Sequence, residues 1–235
     1  MKGLEFYKYN KIFGIFAGLI SFIVYSLTVE PTASYWDCAE YISTSAKLQI
    51  GHPPGAPLFQ MLGAIFSIFA LESTQIAYAV NMMSVFSSSL TIMFLFWSIS
   101  LIGKEILCVN KTLDINNSVK IFGASFLGSL TLTFTDSFWY NAVEAEVYAM
   151  ATLILSVLFW LGLKWADDFE NERSNKWLIL ISFVVGLSFG VHFMGLLAIP
   201  SIGLIYYFKK YKNFKLESFL IANILSVGIL LFIFK

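Results

Sequence analysis

The sequence predicts an all-α polytopic membrane protein: a bundle of about seven transmembrane helices with a re-entrant or interfacial helix in the first outer loop. Three observations predict it. The 235 residues are 58% hydrophobic and only 13% charged, where a soluble domain carries roughly 25% charged residues. Apolar runs recur at about 12–29, 57–71, 77–103, 119–135, 147–165, 177–208 and 218–234, against the roughly 17–25 helical residues that a bilayer core requires. The cations between these runs are also distributed asymmetrically, as cytoplasmic loops demand.

Taken in order, the first run follows Lys2, Lys8 and Lys11 and resembles a signal peptide. It lacks a small-residue cleavage site, so it reads as a retained anchor. The run 57–71 is too short to cross and 177–208 too long to cross once; charge decides both. If 57–71 lies in the outer interface and 177–208 is a hairpin turning near His192, all but Lys47 and Lys235 of the 15 Lys and Arg residues fall on one side. A crossing by 57–71 would turn most of them outward. The N-terminus is therefore inside. The outer face receives a 30–76 loop, a 136–146 loop and the turn near His192, which collect Asp37, Glu40, His52, Glu72, Asp136, Glu144, Glu146 and His192. The loops 104–118 and 166–176 read as solvated connectors, and Asn81 and Asn223 as helix–helix hydrogen-bonding groups. The formal net charge of zero points away from nucleic acid, and Cys38 and Cys108 have no metal-ligand spacing. The chain stops at Lys235 directly after an apolar run, so residues 1–235 are expected to be the N-terminal membrane module of a longer protein.

The stretch 34–57 carries most of the chemistry. Ser34 can cap a helix running to about Leu48. Within it Asp37 and Glu40, and then Glu40 and Thr44, share a face. Gly51-His52-Pro53-Pro54-Gly55 then stops the helix and turns the chain. Two carboxylates at a membrane surface followed by a His in a rigid turn fit catalysis. Ser34-x-x-Asp37 equally fits a capping box, in which the acid only satisfies backbone amides. In the second outer loop Trp139, Tyr140 and Tyr148 fit interfacial anchors. Glu144 and Glu146 fit either a functional pair kept near hydrocarbon or a polar helix start. His192 is the one ionisable group inside 177–208 and fits a structural or a functional role. The acids sit at the interface rather than at mid-membrane, where a transporter would place them. An enzyme acting on a lipid-borne substrate fits that pattern better.

Trp36-Asp37-x-x-Glu40, Gly51-His52-Pro53-Pro54-Gly55-x-Pro57-Leu58-Phe59 and Trp139-Tyr140-x-x-Val143-Glu144-x-Glu146-Val147-Tyr148 together resemble the protein O-mannosyltransferase-like branch of the GT-C glycosyltransferases. That branch occurs in bacteria and in animals. The likeness covers about residues 10–210. It implies a GT-C-like helical bundle, a polyprenyl- or dolichyl-phosphate sugar donor, and transfer to a hydroxyl acceptor. The family's first-loop acid falls on Asp37 with Glu40 beside it, and its second-loop acids on Glu144 and Glu146. Its short helix after the Pro-rich turn corresponds to 57–71. Family members usually continue well beyond the length of this chain.

The resulting expectation is an inverting glycosyltransferase at the outer face of the bacterial cytoplasmic (inner) membrane, open to the periplasm. Asp37 is the general base, with Glu40 its catalytic neighbour. Trp36, Tyr140 or Tyr148 can stack on the sugar, and Glu40, Glu144 or Glu146 can orient its hydroxyls. Lys47, His52 and His192 are the cations or donors available to the phosphate. No cofactor is required, although a divalent metal could be held by the acids. The partners are the lipid-linked donor, a protein or glycan acceptor and the bilayer. Two rival readings are a lipid-linked sugar flippase or transporter, and a non-catalytic assembly subunit.

Overall fold

The structure, a computed structural model, describes residues 3–108, 113–211 and 213–233. Among the described residues it is all-helical, with ten α-helices: α1 (Gly3–Thr28), α2 (Cys38–Lys47), α3 (Pro57–Ser67), α4 (Ile76–Leu107), α5 (Ile115–Thr133), α6 (Asp136–Ala142), α7 (Val147–Asp167), α8 (Asn175–Ser188), α9 (Ala198–Lys210) and α10 (Leu216–Ile233). Short 3-10 turns at Ser73–Gln75 and Phe193–Leu197 precede α4 and α9. Three helical stretches are long and apolar enough to cross a membrane: Glu5–Thr28, Ser73–Leu107 and Val147–Asp167. The chain is accordingly a membrane protein. Helices α5, α8, α9 and α10 do not reach that combination of length and hydropathy.

Helix α4 is the axis of the bundle, packing against α1, α5 and α7. Its 32 residues rise about 48 Å, well beyond a hydrocarbon core of roughly 30 Å. Its packed faces are unusually small and polar: Ser84, Ser87, Ser88, Ser89, Thr91, Ser98 and Ser100 are all buried. Small side chains let helices approach closely inside a bilayer. Several hydroxyls are satisfied by their own helix, as in Ser89 to the Val85 carbonyl at 2.7 Å. Between α1, α4 and α5 the packing is aromatic, with Phe6 stacked on Phe122 at 5.2 Å and Phe96 set edge-on to Phe126 at 4.8 Å.

Opposite poles of the bundle are tied by different chemistry. At one, Asp167 at the end of α7 accepts from Tyr7 and from Lys104, both at 2.7 Å, and pairs with Lys164 at 3.2 Å, while Lys209 reaches Glu105 at 2.9 Å. At the other, Tyr25 donates to the Thr133 carbonyl at 2.9 Å, Trp139 to the Thr28 hydroxyl at 2.9 Å, and the Glu30 amide to the Val143 carbonyl at 3.0 Å. Of the cations assigned from sequence, Lys2, Lys111, Lys212 and Lys235 lie outside the described residues.

The run 57–71 contains an 11-residue helix, whose rise of about 16 Å is half a bilayer core. The amides of Leu58 and Phe59 bond to the Gly190 carbonyl at 2.8 and 3.3 Å, which docks the start of α3 against the turn after α8. A Cβ on Gly190 would fall 2.7 Å from the Leu58 Cβ, so the approach requires glycine. The run 177–208 divides into α8 and α9, joined through His192.

Three expectations need correction. Helix α2 begins at Cys38, not beside Ser34, because Trp36 takes a left-handed backbone (φ 58°) that breaks the chain direction first. Asp37 occupies the N-cap position but makes no side-chain capping bond, so the Ser34–Asp37 capping box does not form. Asn81 joins α4 to the segment between α1 and α2 rather than to another helix, donating to the carbonyls of Glu30 and Thr32 at 2.6 and 2.9 Å. Asn223 donates within its own helix to the Phe219 carbonyl at 2.8 Å.

Candidate functional site

The site forms where the start of α2, the Gly51–Gly55 turn, the entry to α7 and the turn after α8 converge. Glu40, one turn into α2, faces back to the turn. Its Oε1 accepts from the His52 amide at 2.6 Å and its Oε2 lies 3.1 Å from His52 Nδ1. These bonds hold its carboxyl below the usual range, the backbone bond contributing most. The other ring nitrogen, Nε2, lies 3.7 Å from Asp37 Oδ2. The turn is closed by the Gly55 amide on the His52 carbonyl at 2.8 Å, with Gly55 at φ 78°, a conformation that glycine adopts freely. Asp37 itself is open, its side chain 52% exposed. Beside it Trp36 is 90% exposed and holds a left-handed backbone costing roughly 1–2 kcal/mol.

The second-loop acids are buried instead. Glu146, at the N-cap position of α7, is 6% exposed, and its Oε1 has no hydrogen-bond partner. Burial above all, then the charges of Asp37 and Glu144, push its pKa up to about 7, offset in part by bonds from the Val147 and Asp37 amides. Glu144 is 4% exposed and accepts a hydrogen bond from Ser34, and its carboxyl is also raised, chiefly by burial. A polar helix start would leave these carboxylates in water; here both are inside.

Two cavities meet at this point. One of about 180 Å³ is lined by Asp37, Tyr41, His52, Glu146, Tyr148 and His192, among others. The other, of about 310 Å³, is lined by Trp36, Asp37, Tyr140, Glu144, Glu146 and Tyr148 with Asn141. Asp37, Glu146 and Tyr148 belong to both and form the shared wall. A roomier cleft of about 390 Å³ lies at the opposite pole, but its Glu105, Asp167 and Lys209 are already ion-paired.

Nine of the ten residues singled out from sequence therefore line these cavities or, in the case of Glu40, hold a residue that does. Lys47 is the exception, exposed in the last turn of α2 and outside both linings. The 10-residue helix separates it from Asp37 by about 15 Å. His192 lines the smaller cavity. Its Nδ1 accepts from the Met194 amide at 3.1 Å, which places the ring proton on Nε2, and burial lowers its pKa. Its ring centroid lies 5.4 Å from that of Tyr148. Asp37, Glu40 and His52 also form a group of three whose ligand-type atoms lie within 4.8 Å of one another. Both Glu40 oxygens there already face hydrogen-bonding groups of His52, so the group is built as a hydrogen-bonded unit.

Sequence reasoning missed Tyr41, the bond from Ser34 to Glu144 and the apolar residues that flank His192. Tyr41 is buried against Phe59 at 5.1 Å, and burial followed by the charges of Glu146, Asp37 and Glu40 pushes its phenol up to about 12. Its position one helical turn after Asp37, four residues on, was the available signal. Phe189, Val191 and Phe193 of the later turn line the smaller cavity and carry no signal beyond being apolar.

The family model described as "Protein O-mannosyl-transferase TMEM260 N-terminal domain" matches residues 37–215. A Dictyostelium discoideum protein named protein O-mannosyl-transferase tmem260 is 28% identical over 190 residues, covering 76% of this chain and 21% of that protein. The Mus musculus protein O-mannosyl-transferase TMEM260 is 22% identical over 166 residues, covering 70% of this chain and 21% of the relative. The chain thus spans about a fifth of the length of these curated relatives. No solved structure matches. With the family match opening at Asp37 and running through the cavities to the end of α9, the chain belongs to the TMEM260 N-terminal domain family of protein O-mannosyl-transferases.

Proposed function

We propose that this chain is the membrane module of an inverting GT-C-type glycosyltransferase, which moves a mannose-like sugar from polyprenyl phosphate to a hydroxyl of a protein or glycan. The observation that carries the reading is Asp37: a carboxylate free of capping duty, set in the wall shared by two cavities rich in aromatic rings and acids. In this mechanism Asp37 takes the proton from the acceptor hydroxyl as the oxygen attacks the anomeric carbon, and polyprenyl phosphate departs from the opposite face. A phosphate leaves as a stable anion, so the reaction is written without a metal, and treatment with EDTA is expected to leave turnover intact. Trp36, Tyr140 and Tyr148 offer ring faces to the sugar.

The acidity of the site is less of an obstacle to an anionic donor than the residue count suggests. Burial favours the neutral forms of Glu144 and Glu146, and His192 offers an N–H donor. A bundle of about seven crossings, with α3 at the interface, is supported by the two differently tied poles. It puts the site on the side away from Lys104, Lys164 and Lys209, which is the periplasmic face of the inner membrane in a bacterial host.

The test is donor consumption by the purified protein supplied with synthetic polyprenyl-phosphate mannose and a Ser/Thr peptide. Wild-type protein should form glycopeptide, and Asp37→Asn should slow this by about 10²–10⁴, the usual worth of a general base. A flippase would consume no donor and would depend on His192 while tolerating Asp37→Asn.

A further inference from the structure

We propose that His52, oriented by Glu40, is the second station for the proton that Asp37 removes from the acceptor. The inference rests on the transferase reading and concerns what happens after the first transfer. Glu40 holds His52 twice, through the backbone amide at 2.6 Å and through Nδ1 at 3.1 Å. An anionic carboxylate at Nδ1 selects the tautomer that carries its proton there, which leaves the lone pair of Nε2 free. Asp37 Oδ2 lies 3.7 Å from Nε2. Two electron-rich atoms facing each other are stable neighbours once a proton lies between them. The gap exceeds a hydrogen bond by several tenths of an ångström, as is common for catalytic contacts before substrate binds. The other titratable groups around the ring are Tyr41, whose ring centroid lies 6.1 Å away, and Glu146, Tyr148 and His192 across the cavity. None of them bonds to either ring nitrogen of His52.

The step balances without a co-reactant. The acceptor O–H bond breaks and its proton goes to Asp37 Oδ2. The oxygen bonds to the anomeric carbon while the bond from that carbon to the phosphate oxygen breaks, the electron pair leaving with phosphate. Asp37 then passes the proton to His52 Nε2, giving an imidazolium beside the Glu40 carboxylate. Water removes the proton from this half-exposed ring, and Asp37 is again ready as a base. His52 thus acts on the reaction through Asp37.

Full-length protein in lipid nanodiscs, with polyprenyl-phosphate mannose as donor, tests this through three variants. His52→Asn keeps an N–H near the position of Nδ1 for Glu40 but has no basic atom at Nε2, whereas His52→Ala removes both. Both are expected to turn over about 10- to 100-fold more slowly than wild type, less than the roughly 10²–10⁴ expected for loss of the base itself. Added imidazole should restore His52→Ala but not Asp37→Asn. A His52→Asn protein with wild-type turnover, or a His52→Ala protein unresponsive to imidazole, would reduce His52 to a structural clasp and overturn the relay. Those results leave Asp37 as base if Asp37→Asn is still slow. Wild-type turnover by Asp37→Asn overturns the base assignment and the relay together.

Discussion

Asp37 stands at the head of α2 and caps nothing, so its carboxylate is separable from stability. Asp37→Asn should leave the thermal unfolding temperature in detergent unchanged while turnover falls. Ser34→Ala should destabilise the protein through Glu144 and not through a helix cap. It strips the hydrogen bond from buried Glu144, and an unsatisfied buried polar group costs about 1–3 kcal/mol; the drop in unfolding temperature measures it. Glu146 gives a pH dependence. Its pKa is raised from 4.5 to about 7, so the folded state binds more protons than the unfolded state between those values. Stability from this group is therefore greatest at low pH, declines as pH rises through that window, and is lost above about 7. Glu146→Gln should flatten that decline; an unchanged slope in unfolding temperature against pH would place the titration elsewhere.

Among the elements, α3 is docked through close backbone contacts at two glycines. Two amides at its first turn share the Gly190 carbonyl, and Gly63 in its middle sits where a Cβ would lie 2.5 Å from the Ser45 hydroxyl. Gly190→Val should therefore destabilise the protein by about 1–3 kcal/mol, the range for overpacking a filled position. It should also loosen the turn bearing His192, which fluorescence of a probe placed there would register. Composition announced α3 as short and apolar, and charge placed it at an interface. Its partner could not be read, because Gly190 lies in another apolar run and glycine has no side chain to signal docking.

For the whole molecule, the proposed one-sided arrangement predicts which residues meet the outside. Cys38 is buried and should stay silent. Gln49→Cys, in the exposed turn after α2, should react with a membrane-impermeant maleimide on intact cells, and Cys108 only after lysis. Labelling of Cys108 in intact cells would reverse the arrangement and separate the acids from the outer face.

Hydropathy and charge act along the chain, and they were sufficient for most of the helices, for the short α3 and for the turn at His192. The motifs were sufficient for the family. What each acid does was decided only by folding. Ser34 and Glu144 are 110 positions apart and bond to each other. Asp37 and Glu146 come from different loops, and their amide and carboxylate groups meet. A capping box and a catalytic carboxylate look alike as letters, because both need an acid near a helix start. The left-handed backbone at Trp36 separates them by moving Ser34 away and leaving Asp37 facing the cavities. Burial then divides the four acids into the exposed Asp37, the half-buried Glu40, and an enclosed pair, Glu144 and Glu146. Desolvation depends on what surrounds a group in space, and spacing along the chain does not carry that information.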